Sequence, residues 1–312
     1  VKVGVTGGAG FIGRWVTDEL LQRGHHVVVF DPRGRPTDRL RRDVEMMLGD
    51  VRDDVAVTEL AAHVDGIIHL AAVLGTQETI RNPRPAVMSN VQGGLNVLEA
   101  LTQYQLPGVN ICVGNHWMDN SYSISKTAVE RLGHMFRDER GTWINQVRVV
   151  NAYGAFQSAA PPFGSAKVRK IMPAFICRAL TGRPIEVYGD GGQVSDCVHV
   201  TDVAKALVTA LEKAAAGIVF DQVVEVGPAE HHTVNDVAHR VAAAAAELTG
   251  QPAVEVQHLP MRPGEIPGAR VTADHSTLRL VDMHPDQLVP LGAGVTQTVE
   301  WFHTVRGVWW HG

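Results

Sequence analysis

Residues 3–13, VGVTGGAGFIG, constrain the fold more than any other stretch of the chain. Val3 to Val5 have the unbroken apolar character of a strand buried on both faces. Gly7, Gly10 and Gly13 follow, and Gly8, Gly10 and Gly13 also fit G-x-G-x-x-G. Trp15, Val16, Glu19 and Leu20 then recur at helical spacing. Strand, glycine turn and helix in this order form a cradle for a dinucleotide pyrophosphate. The glycines permit a tight turn and close approach of phosphate oxygens. The amides at the helix start, Phe11 and Ile12 among them, favour negative charge.

The next segments extend that cradle. HVVVF at residues 26–30 reads as a second buried strand, and Asp31 follows it, 18 residues past Gly13. An acid at this distance accepts bonds from the adenosine ribose hydroxyls and repels a 2′-phosphate, so NAD is expected rather than NADP. Arg33, Arg35, Arg39, Arg41 and Arg42 come next; they read as a solvated surface, with phosphate contact by one of them as the alternative. A third strand over 46–49 leads to Asp50 and Val51, placing Asp50 beside the adenine. GIIHLAA at residues 66–72 is a fourth buried strand, and Leu70, Ala71 and Ala72 let the dinucleotide lie close to the backbone. His69 reads as a core histidine. Asn90, at the start of a helical stretch over 87–103, joins the cofactor side. A fifth strand covers 109–113.

Composition sets the limits. The chain has 312 residues, 45% hydrophobic and 20% charged, ordinary for a soluble globular protein of one large or two modest domains. A net charge of -5 gives no reason to expect nucleic acid as a partner. Cys112, Cys177 and Cys197 lack metal or disulfide spacing and suit a reducing compartment. No run is long and apolar enough for a membrane helix, no leader is expected before the first strand, and a cytoplasmic location is expected. No metal site is expected.

TGGAGFIG, Asp31, HLAA and the Tyr122-x-x-x-Lys126 pair together resemble the extended short-chain dehydrogenase/reductase family. Asn151-Ala152-Tyr153-Gly154 resembles its N-x-Y-G motif. Residues 187–206, VYGDGGQVSDCVHVTDVAKA, resemble its Y-G-D-G and D-V-A segment, and Arg262-Pro263-Gly264-Glu265 resembles its R-P-G-E/D. The matches run in order over nearly the whole chain and point to the branch acting on nucleotide-diphosphate sugars. The resemblance implies an α/β fold, a Rossmann doubly wound parallel sheet with a smaller C-terminal α/β substrate domain. Residues 1–150 would bind NAD, with a returning segment near 195–215, and residues 151–312 would mainly bind the nucleotide sugar. It also implies a homodimer through two helices per subunit, here residues 90–103 and 122–140.

Tyr122 and Lys126 are one helical turn apart and share a face. The lysine ammonium and a positive nicotinamide ring are expected to favour the phenolate, letting Tyr122 take the proton of a sugar hydroxyl. Lys126 would also hold the nicotinamide ribose. At the end of the fifth strand the sequence departs from the family. Gly114-Asn115-His116 stands where relatives carry two hydroxyl residues, and Tyr122 comes only seven residues after Asn115. Three roles are open: Asn115 as an orienter of the keto oxygen, a relay through Ser121, Ser123 or water, or His116 or Asp119 as a new acid/base. Trp117 is a candidate wall of the sugar pocket.

In the substrate half the resemblance assigns Asn151 and Gln193 to the sugar or diphosphate, and Ile185, Val187 and Tyr188 read as a short strand lining the base pocket. Ser195 replaces the usual phosphate-clamping arginine, so Arg262 and Lys170, with Arg169 and Lys167 nearby, become the phosphate ligands. Glu265 would accept from the nucleoside ribose. Thr201 or Asp202 is expected to cap the helix that follows residues 198–200, Thr233 caps another, and His231 and His232 read as surface residues. The leading function is an NAD-dependent nucleotide-sugar 4-epimerase. A dehydratase built on His116 or Asp119, and an NAD-binding sensor without catalysis, are the alternatives.

Overall fold

The computed structural model describes residues 1–34, 44–164 and 168–309. Arg35, Arg39, Arg41, Arg42 and Lys167 lie outside them. Six strands form in order: β1 (Lys2–Thr6), β2 (His26–Phe30), β3 (Glu45–Met47), β4 (Gly66–His69), β5 (Gly108–Val113) and β6 (Ile144–Val149). The chain then runs through β7 (Asn151–Tyr153), β8 (Ile185–Tyr188), β9 (Val194–Ser195) and β10 (Cys197–His199) before returning to the sheet as β11 (Val224–Val226). β12 (Val256–Leu259) and β13 (Arg270–Val271) follow. The main sheet is parallel, in the order β11-β6-β5-β4-β1-β2-β3. This is the doubly wound Rossmann arrangement.

The central strands are mostly apolar because helices cover both faces, while β5 and β6 also bury Asn110, Asn145 and Gln146. Helices Phe11–Gln22 and Val200–Ala215 pack on one side, burying Val16, Leu20, Val203 and Leu207 against β1, β2 and β6. Helices Asp54–Ala61, Gly93–Tyr104 and Ser121–Arg140 cover the other, through Leu60, Leu98 and Phe136. Strand order reverses beside β1, so a crevice opens past Thr6 and His69, the place where such sheets bind ligands. A separate apolar cluster forms a second lobe: Tyr153, Phe175 and Ile176 pack with Val187, Val237 and Phe302. Parallel pairs β7–β10, β8–β12 and β9–β13 join its segments. Among the described residues, no helix is long and apolar enough to cross a membrane.

Local details differ from the sequence reading. The third strand stops at Met47 rather than Gly49, and the fourth stops at His69 rather than Ala72. The ladder partner β1 ends at Thr6, whose carbonyl and hydroxyl then accept from the Leu70 amide and whose hydroxyl accepts from the Ala71 amide. Residues 87–103 split into a π-helix, Val87–Gln92, and helix Gly93–Tyr104. Thr233 caps its helix, in a reciprocal box with Asp236. Neither Thr201 nor Asp202 caps Val200–Ala215: Thr201 bonds His199, and the Asp202 carboxylate accepts from the Val289 amide. His232 is buried, not superficial, and Asp196 accepts from its amide and bonds the His231 ring at 2.8 Å.

Candidate active site

A cavity of about 700 Å³ runs along the C-terminal edge of the main sheet and into the second lobe. Gly7, Gly10, Phe11, Ile12 and Gly13 floor one end. Gly7 sits at φ +69°, and a Cβ there would lie 2.8 Å from the Ala71 backbone. A Cβ on Gly13 would lie 2.6 Å from the Gly7 carbonyl oxygen. Only hydrogen fits at either place. Gly10 caps helix Phe11–Gln22 without a side-chain bond, so the first-turn amides remain for an anion. Asp31, Asp50, Val51, Leu70, Ala71 and Ala72 continue this wall. The residues present therefore fit a dinucleotide.

Asn90 does not line the cavity. It is buried within the π-helix, where its side chain accepts from the Val73 amide at 2.7 Å and donates to the Ser125 hydroxyl at 2.9 Å. It ties the cofactor wall to the tyrosine helix instead of touching the cofactor side directly. Arg33, read from sequence as solvated or else touching phosphate, is exposed, and it also lines the cavity and grips Asp31 with two bonds of 3.0 Å. Arg52 holds Asp50 in the same way, and its bonds keep the Asp50 carboxyl below the usual carboxylate range.

Asn120 starts helix Ser121–Arg140 by accepting from the Ser123 amide at 3.0 Å. The first turn then carries Tyr122, and the second Lys126, into the cavity. Lys126 is buried, and Tyr122 is partly open to the cavity. The expected lowering of the phenol is not what the protein alone produces. Burial, with the Cys112 thiol adding, pushes Tyr122 up to about 12. Burial also lowers Lys126, opposed by Cys112 and by Glu130 one turn further on. Burial is the largest cause for each group, and neither residue contributes to the shift of the other.

Asn115 lines the cavity, with its amide donating to the Met118 sulfur at 3.2 Å. His116, Trp117 and Asp119 do not. A turn in which the Met118 amide bonds the Asn115 carbonyl keeps Asn115 and Met118 on the cavity and leaves Trp117 and Asp119 exposed. The sequence reading that gave them chemistry, or gave Trp117 a wall, is corrected here.

Asn151, Lys170, Gln193, Arg262 and Glu265 line the far end. Ile185 and Val187 do not: strand alternation turns Glu186 and Tyr188 to the cavity and buries the other two in the second lobe. Asn151 donates to the Ser195 hydroxyl at 2.9 Å. Arg262 stacks 4.5 Å over the Tyr188 ring and pairs with Glu265. Lys170 opens helix Ile171–Ala179 and sets its ammonium 6.0 Å from the centre of the Tyr122 ring, bringing it to the reacting end as well.

The model of the NAD dependent epimerase/dehydratase family matches residues 3–113 and 117–227. The chain belongs to this family. Its cofactor is NAD, and it is an enzyme of the nucleotide-sugar epimerase and dehydratase group. A UDP-N-acetyl-alpha-D-glucosaminuronate decarboxylase from Bacillus cytotoxicus is 25% identical, covering 97% of this chain and 98% of the relative. A dTDP-glucose 4,6-dehydratase from Mycolicibacterium smegmatis is 26% identical over 98% of this chain and 94% of its own length. The structure of a UDP-glucose 4-epimerase from Thermus thermophilus, in complex with NAD, superposes with a TM-score of 0.81 at 29% identity, over 97% of this chain and 99% of that one. Family members thus run several reactions on one frame.

Proposed function

We propose that this family member is a 4-epimerase of a nucleotide-diphosphate sugar. The observation that carries the reading is the state of the cavity's carboxylates. Asp31, Asp50, Glu186 and Glu265 line it, and each is paired with an arginine: Arg33, Arg52, Arg178 and Arg262. Among the described residues, no unpaired carboxylate lines the cavity, and His116 and Asp119 face elsewhere. Elimination of water needs an acid and a base beyond the tyrosine. Inversion at one carbon needs a single group that takes a proton and returns it.

Tyr122 is that group. It receives the C4 hydroxyl proton on oxidation and returns it on reduction. Asn115 donates an amide hydrogen bond to the keto oxygen that forms between these steps. Lys126 holds the nicotinamide ribose and keeps a positive charge beside the phenol. When bound, NAD supplies the acceptor and donor of the C4 hydride, and its positive ring lowers the phenol from its raised value. Arg262, Lys170 and Asn151 bind the diphosphate, and Tyr188 with Arg262 borders the nucleoside pocket. Ile124 and Met135 on the tyrosine helix are exposed and support a homodimer through residues 90–103 and 122–140, which light scattering measures.

The test is incubation of the purified protein with UDP-, dTDP-, GDP- and CDP-sugars, followed by NMR of the products. A C4 epimer with retained mass supports the reading. A 4-keto-6-deoxy product, a decarboxylated pentose, or no turnover of any sugar overturns it.

A further inference from the structure

The two lobes meet at the substrate end of the cavity through two short segments. The first is helix Thr76–Arg81, which follows β4. Thr79 is buried, and its hydroxyl donates to the Gly75 carbonyl at 2.7 Å. The helix packs on Ser121–Arg140, the helix of Tyr122 and Lys126, so it is fixed to the frame of the first lobe. The second segment is the turn Arg262-Pro263-Gly264-Glu265, which follows β12. Proline at its second position and glycine at its third, with Gly264 at φ +79°, suit a type II turn. The Glu265 amide closes it by donating to the Arg262 carbonyl at 3.2 Å. Leu74 and Thr76 line the cavity from one lobe, and Glu265 and Ile266 from the other.

The tip of the turn bears on the helix. A Cβ on Gly264 would lie 2.6 Å from Ile80 Cδ1, so the glycine backbone abuts the isoleucine. The Gln77 side chain adds a long bond, donating to the Pro263 carbonyl at 3.4 Å. Pro263 and Gly264 are exposed, so the turn has little packing of its own to fix the two side chains at its ends. Ile80 does not line the cavity. We infer that Ile80 is a positioning residue: by bearing on Gly264 it holds Arg262 and Glu265 at the substrate. It thereby ties the grip on the nucleotide to the helix that carries the reaction. This rests on the reading that Arg262 binds the diphosphate.

Calorimetry of the NAD-loaded protein tests it. The probe is whichever of UDP, dTDP, GDP and CDP the wild type binds most tightly. Ile80→Ala is expected to weaken that binding about fivefold and Arg262→Ala about tenfold, with NAD retained at the wild-type level in both. Ile80→Leu, which refills the contact, should stay within about twofold. Because Ile80 acts through the turn, the double variant should lose less than about twentyfold, where independent effects would multiply to about fiftyfold. Unchanged affinity in Ile80→Ala, or a double variant that reaches the full product, overturns the inference and leaves the role of Arg262 standing. Unchanged affinity in Arg262→Ala, or a wild type that binds none of the four nucleotides, overturns that role and the inference with it.

Discussion

The two ends of the cavity are built from different materials. The cofactor end is backbone: Gly7, Gly10 and Gly13 at van der Waals limits, helix amides, and small residues past β4. The substrate end is side chains on loops and short strands: Arg262 on Tyr188, Asn151 on Ser195, and Lys170 at a helix start. A backbone surface has one shape, and an added methyl destroys it. A side-chain surface can lose a member and keep the rest, which is how one family holds decarboxylases, dehydratases and epimerases on a shared frame.

That contrast can be broken by substitution. The largest effect is expected where the ends meet: Tyr122→Phe should lower kcat by about a thousandfold while leaving NAD affinity near wild type, read by steady-state kinetics and calorimetry. Gly13→Ala should destabilise the fold by about 3 kcal/mol and abolish tight NAD binding, because the new methyl meets backbone that cannot yield. Urea denaturation and nucleotide retention measure both.

A pH experiment sharpens the cofactor end. His69 is buried under it, bonded to the Thr6 hydroxyl at 2.8 Å, and burial with Lys126 nearby pushes its imidazole down to about 3. The unfolded ring titrates near 6.5, so stability is full above that pH and falls as pH drops towards 3. The loss from this ring is about 2 kcal/mol by pH 5. Urea midpoints at pH 7 and pH 5 should therefore diverge more in the wild type than in His69→Asn. The smallest effect belongs to the side-chain end: Arg262→Ala should raise KM for the sugar nucleotide about tenfold with kcat changed little. A collapse of NAD binding in that variant would erase the distinction between the ends.

The same contrast explains what could be read in advance. β2 ends where its apolar run does and begins one residue before it, and the glycine turn was legible because steric demands on backbone are local. Val187 was not, because the choice between cavity and core rests on the parity of a four-residue strand. The place of Arg33 was hidden because a charged residue's partner depends on how the loop folds back. The phenol's high value at Tyr122 is a desolvation effect, which only three-dimensional surroundings set. His116 and Asp119 shared the reaction segment with Asn115, and a single tight turn separated them from the cavity.

The returning strand β11 has a last consequence. It closes one edge of the main sheet after the chain has already built much of the second lobe, and the helix over Val200–Ala215 roofs that sheet on the way. Neither lobe is therefore one continuous stretch of polypeptide. A gene cut near codon 150 would yield a front piece missing an edge strand and a covering helix, so grafting a new sugar specificity onto this frame means exchanging separate loops rather than swapping a cassette.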